Sequence, residues 1–174
     1  MFASASLLTT SVMAQSVMVG GQGMLPAQNI IQNAVNSADH TTLVAAVKAA
    51  GLVDTLQSAG PFTVFAPTNA AFSKLPAGTV ETLVKPENKA MLTKILTYHV
   101  VAGKYDFDAI QKQLAKTSPL MLKTVSGAQL TLVSNGPHNI VVKDESGHTA
   151  NISTYDVNQS NGVIHVIDSV LMPQ

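Results

Sequence analysis

The sequence predicts an α+β fold, with helices gathered in the first half and short strands in the second. Three observations predict it. Apolar residues recur at helical spacing in segments from Asn29 to Leu114. After Pro119 they fall into short, mostly alternating runs separated by Asn-, Gly- and Ser-containing turns. No segment of about 20–50 residues repeats itself. Elements segregated in this way make an α+β domain, not a βαβ array.

Taken in order, Ser16 to Gln28 (SVMVGGQGMLPAQ) is Gly-rich and lacks periodicity, so it reads as an arm or linker. Its Met and Leu residues serve either to dock it or to make it a sticky tail. Ile30, Ile31, Ala34 and Val35 share one helical face. Asp39 or Thr41 offers the cap of a second helix with the stripe Leu43, Val44, Val47 and Ala50, and Gly51 stands where a left-handed C-cap belongs. Leu52, Val53 and Leu56 fit a third, closed by Gly60–Pro61.

Phe62 to Ala66 reads as a strand ended by Pro67. Thr68 or Asn69 then caps a short helix to Leu75, with the Asn69 amide placed to close the turn. Pro76 to Leu83 suggests another helix. Pro86 suits the first turn of the next, whose buried face is Met91, Leu92, Ile95 and Leu96. Tyr98 to Val101 reads as a strand, and Phe107 to Leu114 as a last helix capped by Asp106. The strands that follow are Met121 to Val125, Gln129 to Val133, Asn139 to Lys143, Thr149 to Ser153 and Val163 to Ile167. Asn161–Gly162 supplies a tight turn before the last.

The 174 residues suit one domain with a short extension, and 46% hydrophobic against 11% charged residues suits a packed core. Cysteine is absent, which excludes disulfides, Cys–zinc sites and a thiol nucleophile. All ten basic residues are lysine and the net charge is zero. A nucleic-acid site wants positive surface and the arginine fork, and a lipid-headgroup patch wants clustered basic residues, so neither partner is expected. No run of about 18 apolar residues predicts a membrane span. Met1 to Gln15 reads as the remnant of a secretory signal peptide. It has a mild apolar centre at Leu7–Leu8 and small residues at the cleavage site, but no basic start.

The histidines are His40, His99, His138, His148 and His165, and none forms a zincin pair. His99 and His165 sit between apolar strand residues, which favours buried, hydrogen-bonded rings over a catalytic pair converging with Asp168. His138 and His148 fall in loops. No nucleophile elbow, phosphate loop or EF-hand ladder is present. No enzyme activity, cofactor or metal is expected.

Three stretches in the right order carry a family resemblance. They are Phe62-Thr63-Val64-Phe65-Ala66-Pro67-Thr68-Asn69-Ala70-Ala71-Phe72, the Tyr98–His99 pair, and Asn161-Gly162-Val163-Ile164-His165-Val166-Ile167-Asp168. From about Asn29 to Pro173 the sequence resembles the fasciclin (FAS1) domain, and most of all its small secreted bacterial members. The resemblance implies a wedge in which helices pack on a twisted β-sheet. It also implies a secreted or periplasmic, non-enzymatic module for adhesion to a cell-surface or matrix protein or glycan. By resemblance to animal members, the partner-binding positions are Tyr98 and His99, flanked by Val100 and Val101, and the pair Asp156 and Val157 in a loop before the last strand. Tyr155 stands where those members often carry Pro, which weighs against integrin-type recognition.

The expected layout is a leader over 1–15, an arm over 16–28 and the fasciclin-like domain over 29–174. Three other readings are carried: a carrier of a small apolar ligand or glycan, a hydrolase using His99 or His165 as base, and weak self-association through the arm.

Overall fold

The computed structural model describes residues 17–19, 21–24, 27–58, 60–137 and 139–173. The leader over 1–15 and the loop residue His138 lie outside the described residues, as does part of the arm. What is described of the arm is a hairpin: Val17–Val19 (β1) pairs antiparallel with Gln22–Met24 (β2). Gly21 supplies the left-handed turn residue at φ 75°. Strands of three residues are too short for a period to show in sequence.

Helix α1 (Ile30–Asn36) opens on a capping box. Asn29 accepts from the Gln32 amide at 2.9 Å, and Gln32 accepts from the Asn29 amide at 3.0 Å. Its buried face takes Asn33 in place of the expected Val35, which is 50% exposed. The Asn33 amide reaches Gln159, a partner distant in sequence. A 3₁₀ turn, Ala38–His40, leads into α2 (Thr41–Ala50). Neither Asp39 nor Thr41 caps α2; Asn69 accepts from the Thr42 amide at 3.0 Å instead. Gly51 ends α2 at φ 70°, as its position predicts.

Next come α3 (Val53–Gln57), β3 (Phe62–Pro67), α4 (Asn69–Ser73) and α5 (Thr79–Leu83). Thr68 caps α4, so Asn69 is free to serve α2. A 3₁₀ turn at Pro86–Asn88 starts α6 (Lys89–Tyr98). Met91 was expected on its buried face but is 57% exposed, and Tyr98 joins Leu92, Ile95 and Leu96 there instead. Tyr98 therefore closes a helix and does not open a strand; β4 is only Val100–Ala102. Asp106 caps α7 (Phe107–Lys116), accepting from the Ala109 amide at 2.8 Å.

The remaining strands are β5 (Leu120–Lys123), β6 (Gln129–Ser134), β7 (Ile140–Lys143), β8 (Thr149–Gln159) and β9 (Gly162–Ile167). They form one seven-stranded sheet in the order β4-β3-β9-β8-β7-β6-β5. β5 to β8 pair as successive antiparallel neighbours, while β3 runs parallel to β9 in register from Phe62↔Gly162 to Pro67↔Ile167. The edges approach one another: Val101 bridges Thr124, and the Val125 amide donates to the Val100 carbonyl at 2.8 Å. The sheet is thus nearly a barrel. Tyr98, Leu130, Leu132 and Ile167 fill its inside with α7, and α1 to α6 pack with the outer face of β3 and β9.

Gly162 opens β9 opposite Phe62. A Cβ built there would lie 2.0 Å from the Phe62 carbonyl oxygen, and backbone in a sheet centre cannot yield. Gly162→Ala is expected to destabilise the fold by about 3 kcal/mol or more, as overpacking against a rigid neighbour does. Urea unfolding with an unchanged midpoint would contradict this.

Candidate functional site

Strands β3 and β9 are covered on both faces, so their backbone groups and those of their neighbours must pair inside the protein. The expected site residues take part in that pairing. Tyr98 is fully buried at the end of α6. Its hydroxyl donates to the Gln129 carbonyl at 2.9 Å and accepts from the Glu145 amide at 3.1 Å. Burial pushes the phenol up to about 12.

His99, 3% exposed, sits at the α6 C-cap. Its Nδ1–H donates to the Ile95 carbonyl at 2.8 Å, and its Nε2 accepts from the Leu171 amide at 3.0 Å. Those partners fix one neutral tautomer. Burial is the larger cause of a pKa lowered to about 4, with the carbonyl acting against it.

The second expected pair lies within β8, not in an exposed loop. Register shifts between Ile152 and Thr154, and between Thr154 and Val157, mark bulges where β8 leaves β7 and joins β9. Val157 is fully buried, and its side chain belongs to the helix-side core. Asp156, half-buried, has φ 54°, the one positive φ outside glycine among the described residues. Its Oδ1 accepts from the Phe107 amide at 2.7 Å, adding a second acceptor at the start of α7.

Under Asp156 lies His165, with no exposed surface. Its Nδ1 accepts from the Asp156 amide at 3.3 Å, and its Nε2–H donates to the Tyr105 carbonyl at 2.7 Å. This is the opposite tautomer to His99. Burial lowers its pKa too. Phe65 links the two sites. Its amide donates to the His99 carbonyl at 2.9 Å, and its ring stacks on His165 with centroids 5.7 Å apart. No direct hydrogen bond joins Tyr98 or His99 to Asp156 or Val157 among the described residues.

Neither histidine has a ring nitrogen left for a serine. Asp168 bonds Asn151 and Ser169, so it does not complete a triad. His148 is an exposed ring beside the buried Asp144 carboxylate at 3.3 Å. No cluster of three metal-ligating side chains occurs among the described residues, and no helix there is long and apolar enough to cross a membrane.

Three further residues matter that sequence reasoning gave no partners. The Asn161 side chain accepts from the Ile30 amide at 3.1 Å and donates to the Leu56 and Ser58 carbonyls at 2.6 and 2.9 Å. It thereby ties α1 and α3 to β9. Asn69 ties α4 to α2 in the same manner. His40 is buried in its 3₁₀ turn. Together with His99 and Val157 it lines a small apolar cavity of about 30 Å³ between the helices and the sheet. A lone His–Thr–Thr turn carries no sign of this.

Comparison with known proteins is consistent with the geometry. The profile of the fasciclin domain matches residues 38–173. Protein sll1483 of Synechocystis sp. is 49% identical over 148 residues, 84% of this chain and 74% of that one. The immunogenic protein MPB70 of Mycobacterium bovis is 42% identical over 149 residues, 80% and 66% of the two chains. The cell surface glycolipoprotein MPB83 of the same species is 41% identical over 122 residues, 70% and 48%. Among solved structures, the FAS1 domain pair of the insect cell adhesion molecule Fasciclin I matches with a TM-score of 0.75 at 20% identity. That match covers 85% of this chain and about half (52%) of the other, and it supports the fold alone.

The two tautomers carry a pH consequence. An unfolded chain takes up protons near 6.5, whereas folded His99 resists until about 4. Stability is therefore full above pH 6.5 and is lost as pH falls from there toward 4, and the lowered His165 adds in the same direction. For His99 the loss is about 2 to 3 kcal/mol by pH 4.5. Urea unfolding at pH 7 and 4.5 checks it, and equal stabilities would contradict neutral burial.

Proposed function

The chain belongs to the fasciclin domain family, and we propose that it serves as a secreted or periplasmic, non-enzymatic module that holds a cell to a surface protein, matrix protein or glycan. Within that reading, 1–15 is the remnant of an export signal and 29–174 is the domain that makes the contact. The names of MPB83 and of the insect adhesion molecule support an exported, surface-facing role.

The observation that carries the reading is the backbone of Asp156. A non-glycine residue at φ 54° costs free energy and persists only where its surroundings over-determine it. Here the bulge, the imidazole of His165 and the start of α7 all hold it. One carboxylate oxygen is committed to Phe107; the other has no partner among the described residues. Tyr155 and the exposed Asn158 flank it. A fixed carboxylate beside an aromatic ring is a preorganised contact for a hydrogen-bond donor or a cation. Tyr98, His99 and Val157, being buried, act on that contact from inside, by holding the strands that present it. One such contact is weak, so adhesion rests on many copies at a surface.

Asp156→Asn separates contact from folding. Asparagine tolerates the left-handed region and keeps an oxygen for the Phe107 amide, but it lacks the charge. Surfaces coated with the variant are expected to retain several-fold fewer cells than wild type, at unchanged melting temperature. Equal retention at equal stability would remove Asp156 from the contact.

A further inference from the structure

We infer that the β1–β2 hairpin covers a ligand site, and that the site takes one neutral hydrocarbon molecule bearing a single hydroxyl group. The cavity of about 30 Å³ lies between α1, α2 and the outer face of β3 and β9, walled by Ile31, Val47, Leu96, Val64 and Ile164. Its cover is Val19 of β1 and Met24 of β2, both buried.

The hairpin pairs only with itself and is not a strand of the seven-stranded sheet. Its hydrogen bond to the rest of the protein, among the described residues, is Ser37 Oγ to the Val19 carbonyl at 3.5 Å, the outer limit for such a bond. Apolar contact, not a ladder, seats the cover. Lifting it withdraws two side chains and opens the cavity to a chain-like guest. Met24, unbranched and adaptable, can repack against one.

The polarity of the guest follows from His40. The ring is 2% exposed and lines the cavity. Ser37 Oγ lies 2.9 Å from Nδ1 and, donating its own proton to Val19, takes the Nδ1–H. Nε2 is then a bare acceptor with no partner, and the Ala66 backbone beside the ring lies outside hydrogen-bond geometry. A buried acceptor without a donor is rare and calls for an occupant. A water there would find one partner where it needs about two to four. An alcohol supplies the O–H while its hydrocarbon meets the apolar walls. A carboxylate has no proton to give, and the lining offers no cation to offset its burial. Burial keeps the His40 ring below its ordinary 6.5, hence neutral.

This inference stands apart from the contact role of Asp156, and either can fail without the other. The test uses the full chain, with 1-octanol and, at pH 8, octanoate as probes, followed by methyl NMR. Octanol is expected to shift the Met24, Ile31 and Val47 methyls saturably, and octanoate at least tenfold more weakly. His40→Phe keeps a flat ring but removes the acceptor, and should weaken octanol about tenfold, the worth of one hydrogen bond. Ala34→Leu, filling the cavity from α1, should abolish the shifts in a chain whose spectrum remains folded. Should Ala34→Leu not fold, the His40→Phe comparison decides alone. No saturable shift in wild type, shifts confined to methyls outside the cavity, or undiminished affinity in His40→Phe would overturn the inference.

Discussion

Two central strands, β3 and β9, are buried on both faces, and the rest of the structure answers the demand this creates. Every amide and carbonyl at their ends and over their flanks must find a partner away from water. The parallel ladder satisfies the middle. Side chains satisfy the rest: Asn161 at the start of β9, His99 where α6 hands over to β4, and His165 beneath the bulge of β8. Each is polar, buried and saturated. Such groups are costly when one partner is lost, which makes them strict determinants of geometry.

Seen this way, the Tyr–His pair and the acid–aliphatic pair have different duties. Tyr98 spans from β6 to the β7–β8 turn through its hydroxyl, and His99 ties α6 to the C-terminal Leu171. Val157 is core. Only Asp156 of the four reaches toward solvent, on a backbone held in a conformation it would not choose alone. The arrangement resembles a clamp, with the imidazole of His165 below, the amide of Phe107 beside and the bulge between. A rigid carboxylate is what an interaction module needs if its contacts are few.

Much of this was legible in the residues. The α+β division, the Gly51 C-cap, the Asp106 N-cap and the strand at Phe62 follow from local periodicity and capping chemistry, and the structure has them. The failures share a cause. Val35 and Met91 are apolar yet exposed, and Asn33 is polar yet buried, because the tertiary partner Gln159 decides the face of α1. Tyr98 looked like a strand residue because β4 follows it so closely. Asp156 and Val157 looked like a loop because two bulges break the alternation of β8. Asn69 and Asn161 looked like turn residues, and their amides instead bridge elements distant in sequence. Gly162 is needed less for turning than for the closeness of Phe62. Local rules found the elements, while the hydrogen-bonding duties that position the site are long-range.

The account's central claim is that two neutral imidazoles complete the buried backbone pairing. Long-range proton–nitrogen correlation spectra at pH 7 test it most directly, because they report which ring nitrogen holds the proton. The prediction is Nδ1–H for His99 and Nε2–H for His165, each in slow exchange with solvent. The same tautomer at both positions, or an imidazolium at either, would contradict the account.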